Sequence, residues 1–161
     1  MFDKIIAAVD TSKVNKHVFS KALELAKLTG AQLKILHVLS PEENGCPDVT
    51  GYLRTYYSSE TFDRAEEHGQ QLWERFTQKC LQMVQSYEDE AEVAGVNTEC
   101  CQVSGSPGLT ICEVARSWGA DLIVIGRRGH LSKLEELVLG SVSKYVLHHA
   151  SCAVLVVPRF G

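Results

Sequence analysis

The feature that most constrains this chain is a set of short apolar runs, rich in branched residues, in which no polar side chain alternates with the apolar ones. Lys4-Ile-Ile-Ala-Ala-Val-Asp10 and Asp121-Leu-Ile-Val-Ile125 are the clearest. A strand with one wet face reads apolar, polar, apolar; a run without that alternation is buried on both faces. Such strands need a helical layer on each side, and the intervening segments supply it. After Asp10-Thr-Ser12, the residues Val14, Val18, Ala22, Leu25 and Ala26 recur at helical spacing, and Gly30 stands where a helix C-cap belongs. Gln32–Leu39 is a second strand, and the polar stretch from Ser40 to Glu60 is the only long loop.

From Glu60 to Gly95 a long helix is indicated, with Phe76, Cys80, Met83, Tyr87 and Ala91 on one face turned to the sheet. A third strand spans Asn97–Val103. A helix follows Gly105-Ser-Pro-Gly108, with Ile111, Val114 and Ala115 inward. Beyond the fourth strand, Gly140-Ser-Val-Ser143 opens a last helix that runs through His149, and Cys152–Val157 is the closing strand. The alternation predicts one α/β domain over residues 1–161: an open five-stranded parallel sheet with helices on both faces, Rossmann-like. Ligands of such sheets sit at the carboxyl ends of the strands, where the strand order reverses.

Composition narrows the function classes. Sixteen Lys and Arg stand against twenty Asp and Glu, a net charge of −4, which disfavours general nucleic-acid binding. No apolar run approaches the roughly 18 residues of a membrane span, and Met1–Asp10 lacks the zones of a signal peptide, so the expectation is a cytoplasmic protein. Six cysteines form no CxxC pair, and Cys100 and Cys101 face opposite ways if they lie on a strand. They read as small, mostly buried apolar residues.

Three strand-to-helix loops have chemical potential: Asp10-Thr-Ser12, the end of the second strand at His37-Val38, and Gly126–Ser143. Gly126 and Gly129 permit positive φ and let backbone N–H groups approach an anion. Gly140-Ser141 opens a helix whose first-turn N–H groups and dipole suit a phosphate. A plain turn and a plain helix cap are the alternative reading of the same residues. His130, His148 and His149 share no ligand spacing with other donors and read as surface or core histidines. Tyr52, Tyr56 and Tyr57 in the long loop read as ordinary loop residues or as groups closing over a ligand.

The segments Asp121–Gly129, Gly140–Ala150, Cys152–Val157 and Lys4–Asp10, in that spacing and strand context, resemble the universal stress protein family. The ATP-binding branch of that family carries Gly-x2-Gly-x9-Gly-(Ser/Thr). Here ten residues separate Gly129 from Gly140, one more than that pattern. The resemblance implies adenine and ribose against Ala8, Val9, Asp10 and Val38, with Ile125 flanking. It implies phosphates on the backbone of Gly126, Gly129, Gly140, Ser141 and Val142, beside Ser143. Asp10 would meet a ribose hydroxyl or a phosphate-bound Mg2+, and Arg127 and Arg128 would either add charge or stand as a solvated pair. ATP or AMP is the implied ligand, and a nucleotide-dependent stress regulator the implied role. A homodimer is implied through the last strand, by Cys152, Val154 and Val156. Slow ATP hydrolysis is an alternative, although no Lys-containing P-loop and no general base is evident. A protein that binds AMP, cyclic AMP or another small anion rather than ATP is the third reading.

Overall fold

The computed structural model describes residues 1–43, 45–48, 59–127 and 139–158. Its elements run β1 (Lys4–Val9), α1 (Asn15–Thr29), β2 (Gln32–Leu39), α2 (Ser59–Val93), β3 (Thr98–Ser104), α3 (Pro107–Trp118), β4 (Leu122–Gly126), α4 (Ser141–His149) and β5 (Ala153–Val157). All four strand pairings are parallel, in the order β3-β2-β1-β4-β5. The chain steps outward from β1 to β3, then crosses back to place β4 on the other side of β1. Loops leaving β1 and β4 therefore diverge, and a crevice opens between them at the carboxyl edge.

Alternation along each strand divides the core in two. Ile5, Ala7, Val9, Leu33, Ile35, Leu122 and Val124 meet α1 and α2 on one face. Ile6, Ala8, Leu36, Val38, Ile123 and Ile125 meet α3 and α4 on the other. That double burial is what the uninterrupted apolar runs require. On the first face Phe19 of α1, fully buried, stacks on Tyr87 of α2 with ring centroids 4.3 Å apart. Such a pair contributes about 0.5–1.5 kcal/mol beyond its area burial. Helices α1 and α3 end on Gly30 and Gly119, both left-handed with φ near 70°, a conformation that costs glycine little. At the opposite edge from the crevice, the Asp121 carboxylate accepts the backbone N–H groups of Asp3 (2.8 Å) and Lys4 (2.9 Å). These bonds fix the start of β1 and hold the Asp121 carboxyl below its ordinary pKa.

Cys100 and Cys101 do pack on opposite faces of β3. All six cysteines are free thiols, but only Cys80 and Cys112 are buried, while the other four are half-buried. The apolar expectation was therefore too uniform: Cys100 and Cys101 lie on the edge strand β3, Cys152 just before the edge strand β5 and Cys46 on the loop after β2, where cover is incomplete. No helix among the described residues is long and apolar enough to cross a membrane. At the other edge β5 leaves Leu155 38% exposed, on a strand whose outer side pairs with nothing among the described residues.

Candidate functional site

The crevice holds a cavity of about 230 Å³. Its apolar wall is built from strand ends and helix faces: Ala8 of β1, Leu36 and Val38 of β2, Ile111 of α3, Ile125 of β4 and Val142 of α4. A flat, uncharged ring suits that wall. Polar groups gather at its rim: Asp10 after β1, Ser40, Glu42 and Glu43 after β2, and Gly140, Ser141 and Ser143 at the start of α4.

Each of these is placed by local structure. The Asp10 Oδ1 accepts the Ser12 backbone N–H at 2.8 Å and the Ser12 hydroxyl, so the turn out of β1 sets the carboxylate's direction. Helix α4 follows its N-cap Gly140, and no side chain among the described residues caps it. Its first-turn amides at Ser141 and Val142 lie along the cavity, with the positive end of the helix dipole. Gly140 itself has φ −60° and ψ 157°, a conformation open to any residue. The buried Ser143 donates its hydroxyl to the Gly140 carbonyl at 3.0 Å, which tightens that turn.

Most residues singled out in the sequence thus line one cavity: Ala8, Val9, Asp10, Val38, Ile125, Gly126, Gly140, Ser141, Val142 and Ser143. Two others were singled out. Gly129 lies outside the described residues, as do Arg128, His130, Tyr52, Tyr56 and Tyr57. Arg127 is described but does not line the cavity. Its N–H donates to the Val157 carbonyl at 2.9 Å, extending the β4–β5 ladder, and its Nε is buried.

Gly126 also departs from expectation. Its φ is not positive, and a Cβ there would stand 2.5 Å from Cγ1 of Val14 and 3.1 Å from Cγ2 of Val18. The missing side chain lets α1 close onto β4. Helix packing, and not a left-handed turn, requires glycine here.

Sequence reasoning missed Glu43. The fully buried His37 on β2 places Nε2 at 2.8 and 2.9 Å from the two oxygens of the Glu43 carboxylate, itself 3% exposed. Glu43 Oε1 also accepts the Thr11 backbone N–H at 3.0 Å. One carboxylate therefore ties the loop after β2 to the loop after β1 across the cavity mouth. A histidine inside a strand buried on both faces signals that a polar partner exists, but sequence does not say which. His148 and His149 are exposed, and His149 stacks on Tyr145 with centroids 4.0 Å apart.

The thiols offer little nucleophilic chemistry. Burial and the hydrogen bond to Glu88 push Cys100 up to about 12, and burial with the nearby Glu43 charge pushes Cys80 up to about 11. Cys46 is raised as well, first by burial and then by Glu43, unlike a low-pKa redox sensor.

The sequence profile described as "Universal stress protein family" matches residues 1–158. Universal stress protein Sll1388 from Synechocystis is 33% identical over 156 residues, covering 97% of each chain. Universal stress protein YxiE from Bacillus subtilis is 31% identical over 159 residues, covering 98% of this chain and 99% of the relative. Among solved structures, the protein MJ0577 superposes with a TM-score of 0.72 at 24% identity, covering 100% of this chain and 99% of the other. A universal stress protein in complex with cAMP gives 0.63 at 22% identity, with 97% coverage of each. A universal stress protein family protein from Arabidopsis thaliana with AMP bound gives 0.61 at 19%, covering 99% of this chain and 93% of the other.

Proposed function

Since the chain belongs to the universal stress protein family, we propose that its cavity at the β1–β4 crevice binds an adenine nucleotide, and that occupancy regulates a dimer in a stress response. The observation that carries this reading is the pairing of an apolar wall with an uncapped helix start in one cavity. Val38, Ile111 and Ile125 offer contact to a flat base, while the amides of Ser141 and Val142 offer N–H groups to a phosphate. That two proteins of this fold hold cAMP and AMP supports the same reading.

The cavity's charge constrains the pose. Asp10, Glu42 and Glu43 line it, and no lysine or arginine does among the described residues. Phosphate is therefore disfavoured near the β1 and β2 loops and belongs at α4, which leaves Asp10 beside the ribose. Asp10 fits a hydroxyl there, since a carboxylate accepts two such bonds. With ATP, Mg2+ held mainly by phosphates and water would offset the added charge, and Asp10 is the carboxylate placed to share it.

The test is calorimetric titration of AMP, ATP and cyclic AMP into the wild type and Gly140→Val. Residue 140 has φ and ψ open to any residue, so valine is expected to fold there and to crowd the helix start where the phosphate is proposed to bind. Affinity should fall by more than tenfold, about 1.4 kcal/mol or more. Equal affinity of both proteins for every nucleotide bound would remove the helix start from the site. No binding by the wild type at millimolar nucleotide would end the reading altogether.

The dimer rests on β5, through Cys152, Val154 and Val156. An edge strand of Ala-Val-Leu-Val-Val, partly exposed, is a pairing hazard that a second copy would cover. Sedimentation equilibrium should give a dimer at micromolar concentration and a monomer for Leu155→Lys. A monomeric wild type contradicts this interface.

A further inference from the structure

Beneath the loop that rims the cavity, three donor atoms of different chemistry converge from three elements: an imidazole nitrogen of His37 on β2, a carboxylate oxygen of Glu43 after β2, and the thiol of Cys80 on α2. All lie within 4.8 Å of one another, and all three residues are more than 90% buried. We propose that His37, Glu43 and Cys80 form a binding site for a thiophilic divalent transition metal of the zinc class, separate from the nucleotide cavity's phosphate end.

Hydrogen-bond accounting leads there. The Gln102 amide nitrogen donates to the Thr77 carbonyl at 3.3 Å, so its Oε1 is the atom turned to His37 Nδ1, 3.0 Å away. An amide oxygen can only accept, so Nδ1 carries a proton. The other ring nitrogen then faces both oxygens of a buried carboxylate. Two lone pairs facing each other would repel, so this contact needs a proton or a metal ion between the imidazole and the carboxylate.

A proton satisfies His37 and Glu43 but leaves Cys80 unexplained. A metal uses all three. The set of nitrogen, oxygen and sulfur donors suits Zn2+, Co2+ or a similar ion and is foreign to Mg2+ or Ca2+. A metal-binding histidine ordinarily gives its second N–H to an acceptor that fixes its orientation, and Gln102 is already in that position. Access exists from two sides, since Glu43 lines the nucleotide cavity and Cys80 lines a second cavity with Phe76, Pro47 and Gly45.

On binding, the thiol proton of Cys80 and the proton held between His37 Nε2 and Glu43 leave to solvent, while Nδ1 keeps its own. The complex then carries a thiolate, a neutral imidazole and a carboxylate. Three protein ligands leave a fourth position for water.

Co2+ alone, titrated into chelator-stripped protein, reads the site directly by absorbance. One equivalent should produce a thiolate-to-cobalt charge-transfer band, bleached by added Zn2+. Cys80→Ala should lose the band and bind Co2+ at least about 100-fold more weakly, while still binding AMP as the wild type does, because residue 80 does not line the nucleotide cavity. Gln102→Leu should keep the band and weaken Co2+ by about 10–100-fold. Cys46→Ala, which removes the half-buried thiol packed against the cluster of Leu39, Phe76 and Cys80, should keep it unchanged. The proposal is overturned by a wild type without the band, by a band that survives Cys80→Ala, or by one lost with Cys46→Ala instead. Loss of AMP binding in the wild type would bear on the nucleotide reading and leave this one standing.

Discussion

His37→Leu is expected to destabilise the metal-free protein by about 3–5 kcal/mol. Leucine is close to histidine in volume and meets apolar neighbours on β2 well, so the loss is not a packing defect. It arises because Glu43, 3% exposed, keeps its carboxylate in the interior after its nearest hydrogen-bond partner has gone. The Thr11 N–H at 3.0 Å remains, but a single neutral donor does not offset the desolvation of a full charge. For a chain of this length the midpoint of thermal unfolding should drop by roughly 6–20 °C. The double variant His37→Leu with Glu43→Gln removes the stranded charge and should recover more than half of the loss. Denaturant unfolding in the presence of chelator measures all three proteins. If the single variant costs under 1 kcal/mol, or the double is no better than the single, the pair does not carry the energy assigned to it. Because Glu43 also joins the loops after β1 and β2, the single variant should loosen the cavity mouth and weaken nucleotide binding together with stability.

What could be read from sequence divides along a physical line. Strand identity was legible because Lys4–Val9 and Leu122–Ile125 are buried on both faces, and that demand is written in each residue of the run. Helix α1 was legible through Val14, Val18, Ala22 and Ala26, and its end through Gly30. Boundaries moved by a residue: β3 begins at Thr98, not Asn97, and β5 at Ala153, not Cys152, since hydrogen-bond register and not hydropathy sets a strand's first residue. The cavity was legible in outline because its residues sit on strand ends that the alternation of elements already locates. Side-chain pairings between elements were not. His37, Glu43 and Cys80 are separated by an intervening loop and half a helix, and nothing in a single sequence links them. Arg127 is of the same kind: its place beside a glycine motif is legible, while the ladder bond from its N–H to Val157 is set by strand register.

Gly126 sets the reading of the glycine motif against the reading of the packing, and one series of variants separates them. Adding a methyl group at 126 puts a carbon 2.5 Å from Val14 Cγ1, well inside contact distance, in a region where Val14 is 5% and Val18 1% exposed. Helix α1 must lift or Val14 must leave its rotamer, and overpacking of this kind costs about 1–3 kcal/mol. Gly126→Ala is therefore expected to lower the unfolding midpoint by roughly 2–12 °C. Val14→Ala alone should also destabilise, by opening a small void. Combined, the two changes exchange one methyl group for others in the same space, so the double variant should be more stable than the sum of the singles predicts by at least about 1 kcal/mol. A purely ligand-directed glycine gives a different pattern: Gly126→Ala would fold as well as the wild type and lose nucleotide affinity alone, and Val14→Ala would not interact with it. Additive stability effects would thus return Gly126 to the phosphate. Strong coupling would assign it to the joint between α1 and β4, which holds Asp10 and the start of the nucleotide cavity in place.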